Sequence, residues 1–305
     1  MGRGRSLGAA TLAAVGMLTS GCAGGFHPAP GTIGVIGAEN QYANVLSQIG
    51  GRYVSVTAIL DNPNTDPHTF EASPSVAQEV SAAQLIVQNG AGYDGFMNSI
   101  ESASPDTSRR VIVVQKLLGL PDNTPNPHLW YAPSTMPKVA AAIATDLSAL
   151  QPSHTAFFSA QLDAFDRSLQ PWLNAIAAFK AAHPGTPVAT AEPVADDLLE
   201  AMGTDDLTPF RFQADIMNGV DPAPQDISLE NGLFTGHRVK VFCYNQQVVD
   251  SLTTSIRRNA QNAGIPVVGV YETMPTPGYD YQTWMLAELQ AIQRAVTEGI
   301  STEHL

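Results

Sequence analysis

The sequence predicts an α/β protein of two lobes with mostly parallel sheets, bridged by a long helix. Three observations carry this. Short apolar runs alternate with helical patterns from Thr32 to Val114 and again from Pro187 to Val296, the signature of a sheet built from strand-helix-strand units. Between them, Ser134 to about Phe179 holds apolar residues at helical spacing and no strand-like run. The roughly 270 residues that follow the leader exceed the usual size of one compact core.

Each element follows from its residues. Thr32 to Ile36 (TIGVI) is a strand that leads into a helix through Leu46 and Ile49, and Tyr53 to Leu60 (YVSVTAIL) is a second strand. The Asn-, Asp- and Pro-rich DNPNTDPHTFEAS then makes a loop. Ser73 and Pro74 open a helix as N-cap and first helical residue. Leu85 to Gln88 and Arg110 to Val114 supply two more strands. The central helical stretch has Val139, Ile143, Leu147 and Leu150, then Phe158, Leu162, Phe165, Leu169 and Leu173, with a break at Pro152. Pro187 to Thr190, Val239 to Tyr244 and Pro266 to Tyr271 are the strands of the second lobe, and Tyr281 to Val296 is its last helix. The expected organisation is a leader at 1–21, a tether at 22–31, a first lobe at 32–133, a bridge at 134–180 and a second lobe at 181–305.

The leader has a basic start at Arg3 and Arg5, an apolar stretch from Leu7 to Leu18, and small residues ahead of Cys22, which is a secretory signal. A stretch of about a dozen residues is too short to cross a bilayer, which takes roughly 20. Cys22 after Thr19, Ser20 and Gly21 resembles a bacterial lipobox, although Thr19 stands where Leu is usual. That resemblance implies cleavage before Cys22, a lipid on its thiol, and an extracytoplasmic protein anchored to the cell membrane. Ala23 to Gly31 has the composition of a flexible tether. Cys243 is the only other cysteine, so no intrachain disulfide is expected. The net charge of -13, two units more negative once Arg3 and Arg5 are removed, argues against nucleic acid as a partner.

Four residues stand just beyond a strand or in a Pro-marked loop: His68 in DPHTFEASPS, His128 in NPHLWYAPS, Glu192 in ATAEPVADD and Glu272 in VYETMP. Ligands of open α/β sheets gather at the carboxyl ends of strands, so these four can converge from distant parts of the chain. Two imidazoles and two carboxylates suit a divalent transition metal and offset its charge. Pro67 and Pro127 restrict the backbone just ahead of each histidine. Taken singly, each residue also has an ordinary reading: a surface histidine, a helix N-terminal charge at Glu192, a loop acid at Glu272. His27, His154, His183, His237 and His304 keep the ordinary reading. Cys243 is expected to be a buried thiol, and Trp130, Trp172 and Trp284 are expected to pack the core.

Together, DPHTFEASPS, NPHLWYAPS, the long helical stretch and the ending VYETMPTPGYDYQTWMLAELQAI resemble the zinc/manganese solute-binding lipoproteins of ABC importers, over about Thr32 to Val296. The resemblance implies two lobes bridged by one rigid helix, little domain closure, and a transported Zn²⁺ or Mn²⁺ ion at the lobe interface. It also implies His68, His128, Glu192 and Glu272 as metal ligands, no catalytic residues, a monomer, and a permease with a cytoplasmic ATPase as partner. Glu192 stands where many zinc receptors have His, and the His-rich loop of those receptors is absent between Val114 and His128, both of which lean toward manganese. Glu272 stands where Asp is common, with Asp280 as reserve candidate. Bidentate carboxylates would favour Mn²⁺ and monodentate ones Zn²⁺, so the metal stays open. Two other classes are a secreted zinc hydrolase, which lacks an HExxH helix to supply its general base, and a surface adhesin of the same fold.

Overall fold

A computed structural model describes Met1 and residues 28–63, 70–275 and 277–305. The leader after Met1, the lipidation candidate Cys22 and the metal candidate His68 lie outside the described residues, as does most of the tether. In the first lobe, β1 (Ile33–Glu39), α1 (Asn40–Gly50), β2 (Val54–Leu60), α2 (Pro74–Ala82), β3 (Leu85–Gln88), α3 (Gly95–Ala103), β4 (Arg110–Val113) and α4 (Val114–Leu117) follow one another. The strands form a parallel sheet in the order β2-β1-β3-β4. β1 and β3 are buried along their whole length, as inner strands covered on both faces must be. The pairing of β1 runs on to Glu39 opposite Leu60, three residues past the apolar run that predicts the strand. Tertiary pairing, not side-chain polarity, sets its end.

The stretch expected as one bridging helix is three. α5 (Thr135–Leu150) packs on α1 and β4, whereas α6 (Thr155–Ser168) lies on α1 and α7 (Gln170–Ala182) lies on the chain's last helix. Pro152 ends the first piece in a 3-10 turn over Pro152–His154. Pro171, at the start of α7, interrupts the helical hydrogen-bond ladder only locally, because Leu173 N–H still bonds Leu169 carbonyl at 3.1 Å. α5 and α6 thus both pack on α1 and on each other, whereas α7 packs on the chain's last helix.

The second lobe holds β5 (Pro187–Thr190), α8 (Asp196–Ala201), β6 (Asp205–Asp206), α9 (Phe210–Met217), α10 (Pro224–Thr235), β7 (Phe242–Asn245), α11 (Ser251–Asn262), β8 (Val267–Val270) and α12 (Tyr281–Glu298). Its parallel sheet, β6-β5-β7-β8, repeats the order of the first. Trp130, Trp172 and Trp284 are buried, as expected, in one apolar cluster that runs from β1 through the bridge to α12. Trp172 stands edge-on to Tyr281 and Trp284 to Tyr131. No helix among the described residues is long and apolar enough to cross a membrane.

The turn from β1 into α1 depends on Gly37. A methyl group there would lie 2.7 Å from the Ala43 Cα and closer still to its nitrogen, because α1 folds straight back over the strand that launches it. Gly37→Ala is expected to destabilise the protein by about 3 kcal/mol, read as a lower midpoint in chemical denaturation.

Candidate metal site

In each lobe the strand order reverses once, between β1 and β3 and between β5 and β7, and a crevice opens outside the strand ends at such a point. Glu39 ends β1, Asn89 follows β3, and Asn245 ends β7. Glu192 and Glu272 lie two residues past β5 and β8. His128 comes from the loop that enters the 3-10 turn Leu129–Tyr131. Both lobes point these ends at one another.

Three of the four predicted residues meet there. His128 and Glu272 are wholly buried and Glu192 is 2% exposed. His128 Nε2 lies 3.4 Å from Glu272 Oε2. The Asn245 side-chain amide donates to Glu272 Oε1 at 2.7 Å and to Glu192 Oε1 at 3.2 Å, and the Tyr93 hydroxyl donates to Glu272 Oε2 at 3.0 Å. Two carboxylates are thus gathered by neutral donors in a space closed to bulk water. The reserve candidate Asp280 is elsewhere: it is exposed and caps α12, its backbone N–H bonding Thr283 Oγ1 at 2.9 Å.

The orientation of His128 follows from its neighbours. The Asn126 amide nitrogen donates to the Pro193 carbonyl at 2.9 Å, which leaves Asn126 Oδ1 to accept from His128 Nδ1 at 2.8 Å and from the His128 backbone N–H at 3.0 Å. Nδ1 therefore carries a proton and Nε2 faces Glu272, the orientation that suits a metal-binding imidazole. Trp130 and Tyr93 wall the ring, with centroids 5.5 and 5.9 Å away.

The surroundings are rich in buried acid. Glu39 is fully buried, neither of its carboxyl oxygens has a hydrogen-bond partner among the described residues, and burial first, then the charge of Asp94, raises its pKa well above the ordinary carboxylate value. Asp94, which accepts from the Asn89 and Gly90 amides at 2.6 and 2.9 Å, is pushed up to about 6 by burial. Behind Glu192, the Gln213 amide donates to Thr190 Oγ1 at 2.6 Å and reaches Asp206 and Asp196 at 3.1 and 3.2 Å. Burial, with Asp206 second, lifts Asp196 to about 8, and burial lifts Glu230 to about 8. Cys243 is buried as expected, and burial raises its thiol well above the ordinary value, so it stays protonated.

The sequence did not single out Asn245, Tyr93, Asn126 or Glu39. Asn245 and Glu39 satisfy the same strand-end rule that singles out Glu192, and Asn126 stands two residues ahead of His128. Tyr93 carries no local signal, since only the packing of the second lobe brings Glu272 to its hydroxyl.

A family model described as zinc-uptake complex component A, periplasmic, matches residues 35–295. The chain belongs to this family. Among curated relatives of this zinc-uptake family member, the manganese-binding lipoprotein MntA of Bacillus subtilis is 24% identical over 142 residues, 45% of this chain and 46% of that protein. A putative metal-binding protein of Thermotoga maritima is 30% identical over 99 residues, 32% and 34% of the two chains. The chain thus spans less than half the length of these curated relatives. Among solved structures, the periplasmic zinc-binding protein TroA of Treponema pallidum superposes with a TM-score of 0.73 at 17% identity, covering 88% of this chain and 100% of that one. The Pseudomonas aeruginosa protein FpvC in complex with Mn²⁺ gives 0.71 at 19%, covering 88% and 99%. At these identities the structures speak for the fold alone.

The raised acids have a measurable consequence. Asp94, Asp196, Glu230 and Glu288 all have folded values, about 6 or about 8, above their ordinary ones, so the folded state holds more protons than the unfolded chain. Their contribution to stability is fullest below the unfolded values and is lost as pH rises through the folded ones. The melting temperature of metal-free protein is expected to fall by several degrees between about pH 5 and about pH 8; calorimetry across that range checks it.

Proposed function

We propose that this protein is an extracytoplasmic receptor that captures one divalent transition-metal ion, zinc or manganese, and delivers it to an ABC importer. His68, His128, Glu192 and Glu272 are its ligands, and lipid on Cys22 anchors it to the membrane. The observation that carries this reading is the burial of Glu192 and Glu272 together beside the Nε2 of an oriented imidazole. Neutral donors relieve two buried carboxylates only in part, whereas a dication cancels both charges. The donor set of imidazole and carboxylate is one that zinc and manganese accept. The names of the relatives and of the family support the same ions, and the family's periplasmic description supports export.

The ligands act by binding, without a reaction step. Asn126 holds the His128 ring by its Nδ1, while Asn245 and Tyr93 hold the carboxylates, so these three ligands are set before the ion arrives and lose little ordering entropy on capture. Four protein donors leave no open coordination position for the activated water that a hydrolase requires, which favours the receptor over a secreted hydrolase.

Calorimetric titration of the metal-free protein tests the reading. One ion per chain is expected, and His68→Ala or His128→Ala should weaken binding by roughly a hundredfold or more, beyond the 10- to 100-fold loss typical of a residue that only supports a ligand. Asn245→Ala should fall within that smaller range. Failure of the wild-type protein to bind either Zn²⁺ or Mn²⁺ at micromolar concentration would remove the reading, and direct competition between the two ions identifies the preferred one. Saturating metal at about 1,000 times Kd should add about 4 kcal/mol of stability. For the anchor, Cys22→Ala is expected to move the protein from the membrane fraction to the soluble one.

A further inference from the structure

Glu288 lies in the middle of α12, fully buried, and takes no part in the candidate ligand set. Its Oε1 accepts from Trp284 Nε1 at 2.8 Å and from the Tyr131 hydroxyl at 3.0 Å. Tyr131 is tied to both halves of the site. Its hydroxyl donates to the Tyr271 carbonyl at 2.8 Å and accepts from the Tyr271 N–H at 3.2 Å, so it grips the residue immediately before Glu272 by both backbone groups. Its own N–H bonds the His128 carbonyl at 3.1 Å. One phenol therefore joins the His128 turn of the first lobe to the Glu272 loop of the second, and its third partner is Glu288.

We propose that Glu288 is a positioning residue for metal capture: through the Tyr131 hydroxyl it fixes the spacing between the His128 turn and the Tyr271–Glu272 peptide. The inference rests on the receptor reading above. A single phenolic hydrogen is shared between the Tyr271 carbonyl and Glu288 Oε1, and the Trp284 N–H bond keeps that oxygen in place. Glu288 Oε2 has no hydrogen-bond partner among the described residues, and burial lifts the acid to about 8, so at neutral pH the proton sits on the carboxyl and no second charge competes with the ligand carboxylates. Glu288 thus works as a neutral acceptor. A glutamine reproduces that acceptor oxygen, whereas a leucine keeps the bulk and loses it.

Titration of the full chain with Zn²⁺ and with Mn²⁺, alongside the melting temperature of each metal-free variant, tests this. Glu288→Leu and Tyr131→Phe are each expected to lower affinity about tenfold or more. The double variant should be no weaker than the weaker single one, because the two side chains act through one bond. Glu288→Gln should recover affinity to within about threefold of wild type, as rescue of a single acceptor implies. Tyr131→Phe, which removes one oxygen, keeps the test open if Glu288→Leu does not fold. Wild-type affinity in Glu288→Leu with only a lowered melting temperature overturns the proposal, since the residue would then be packing alone. Additive losses in the double variant, or a glutamine variant as weak as the leucine one, overturn it equally. A wild-type protein that binds neither ion would instead defeat the receptor reading itself, and this inference with it.

Discussion

Two carboxylates share one amide in the interior of this protein, and much of the structure is organised around that fact. Glu192 and Glu272 accept from the same Asn245 nitrogen in a space that excludes water. Like charges at such range repel far more strongly in a protein interior than in water, because the medium screens them less. A chain that places them there must supply donors, hold the loops rigidly, and gain from a cation what it loses by desolvation. Tyr93 and Asn245 meet the first requirement, and the interlobe hydrogen bonds meet the second.

The duplicated topology explains how such a site can be built from remote segments. Each lobe reverses its strand order between two inner strands, and each sends the residues after its strand ends into the same gap. One lobe supplies His128, Tyr93 and Glu39, the other Glu192, Asn245 and Glu272. Neither lobe holds a complete donor set. The apolar cluster that runs unbroken from β1 through 155–182 to α12 then makes the relation between the two halves a matter of core packing, and a packed core resists small deformations.

How much of this was legible in the sequence depended on whether a feature was local. Buried inner strands announce themselves as apolar runs, and both sheets were visible for that reason. The subdivision of the bridge was only half visible: Pro152 breaks a helix in an obvious place, but Pro171 sits at a helix start where proline is tolerated, so the run through it looked continuous. α10 was missed because PQDISLENGLFT mixes polar and apolar residues without a clear stripe, and α9 because FRFQADIM, at eight residues, is too short for its period to stand out. At the candidate site, position after a strand drew attention to Glu192 and Glu272, which the structure brings to one amide. Asn245 obeys the same rule but carries no charge to draw notice. Glu39 carries charge, yet its complete burial depends on neighbours from β3 and α1 that the local sequence does not name. Asp280 has the same chemistry but is exposed and caps α12, and the Thr283 with which it forms the cap stands three residues on.

The same bonds that pre-form the site also bear on how an ion could leave it. The Asn40 side chain pairs with the backbone of Met274 in both directions at 2.8 Å, Gln41 donates to the Glu272 carbonyl at 3.2 Å, Tyr281 donates to the Trp130 carbonyl at 2.6 Å, and Tyr131 grips Tyr271. Each buried bond of this kind contributes about 1 kcal/mol when kept and more when a partner is left stranded. A wide hinge motion would break most of them at once and open the core cluster as well. Under the receptor reading, thermal opening is therefore a poor route for release. Under that reading the work of opening would come from a partner, and freeing one loop would cost less than breaking all of these bonds together. The rigidity that favours capture would then make exchange depend on that partner.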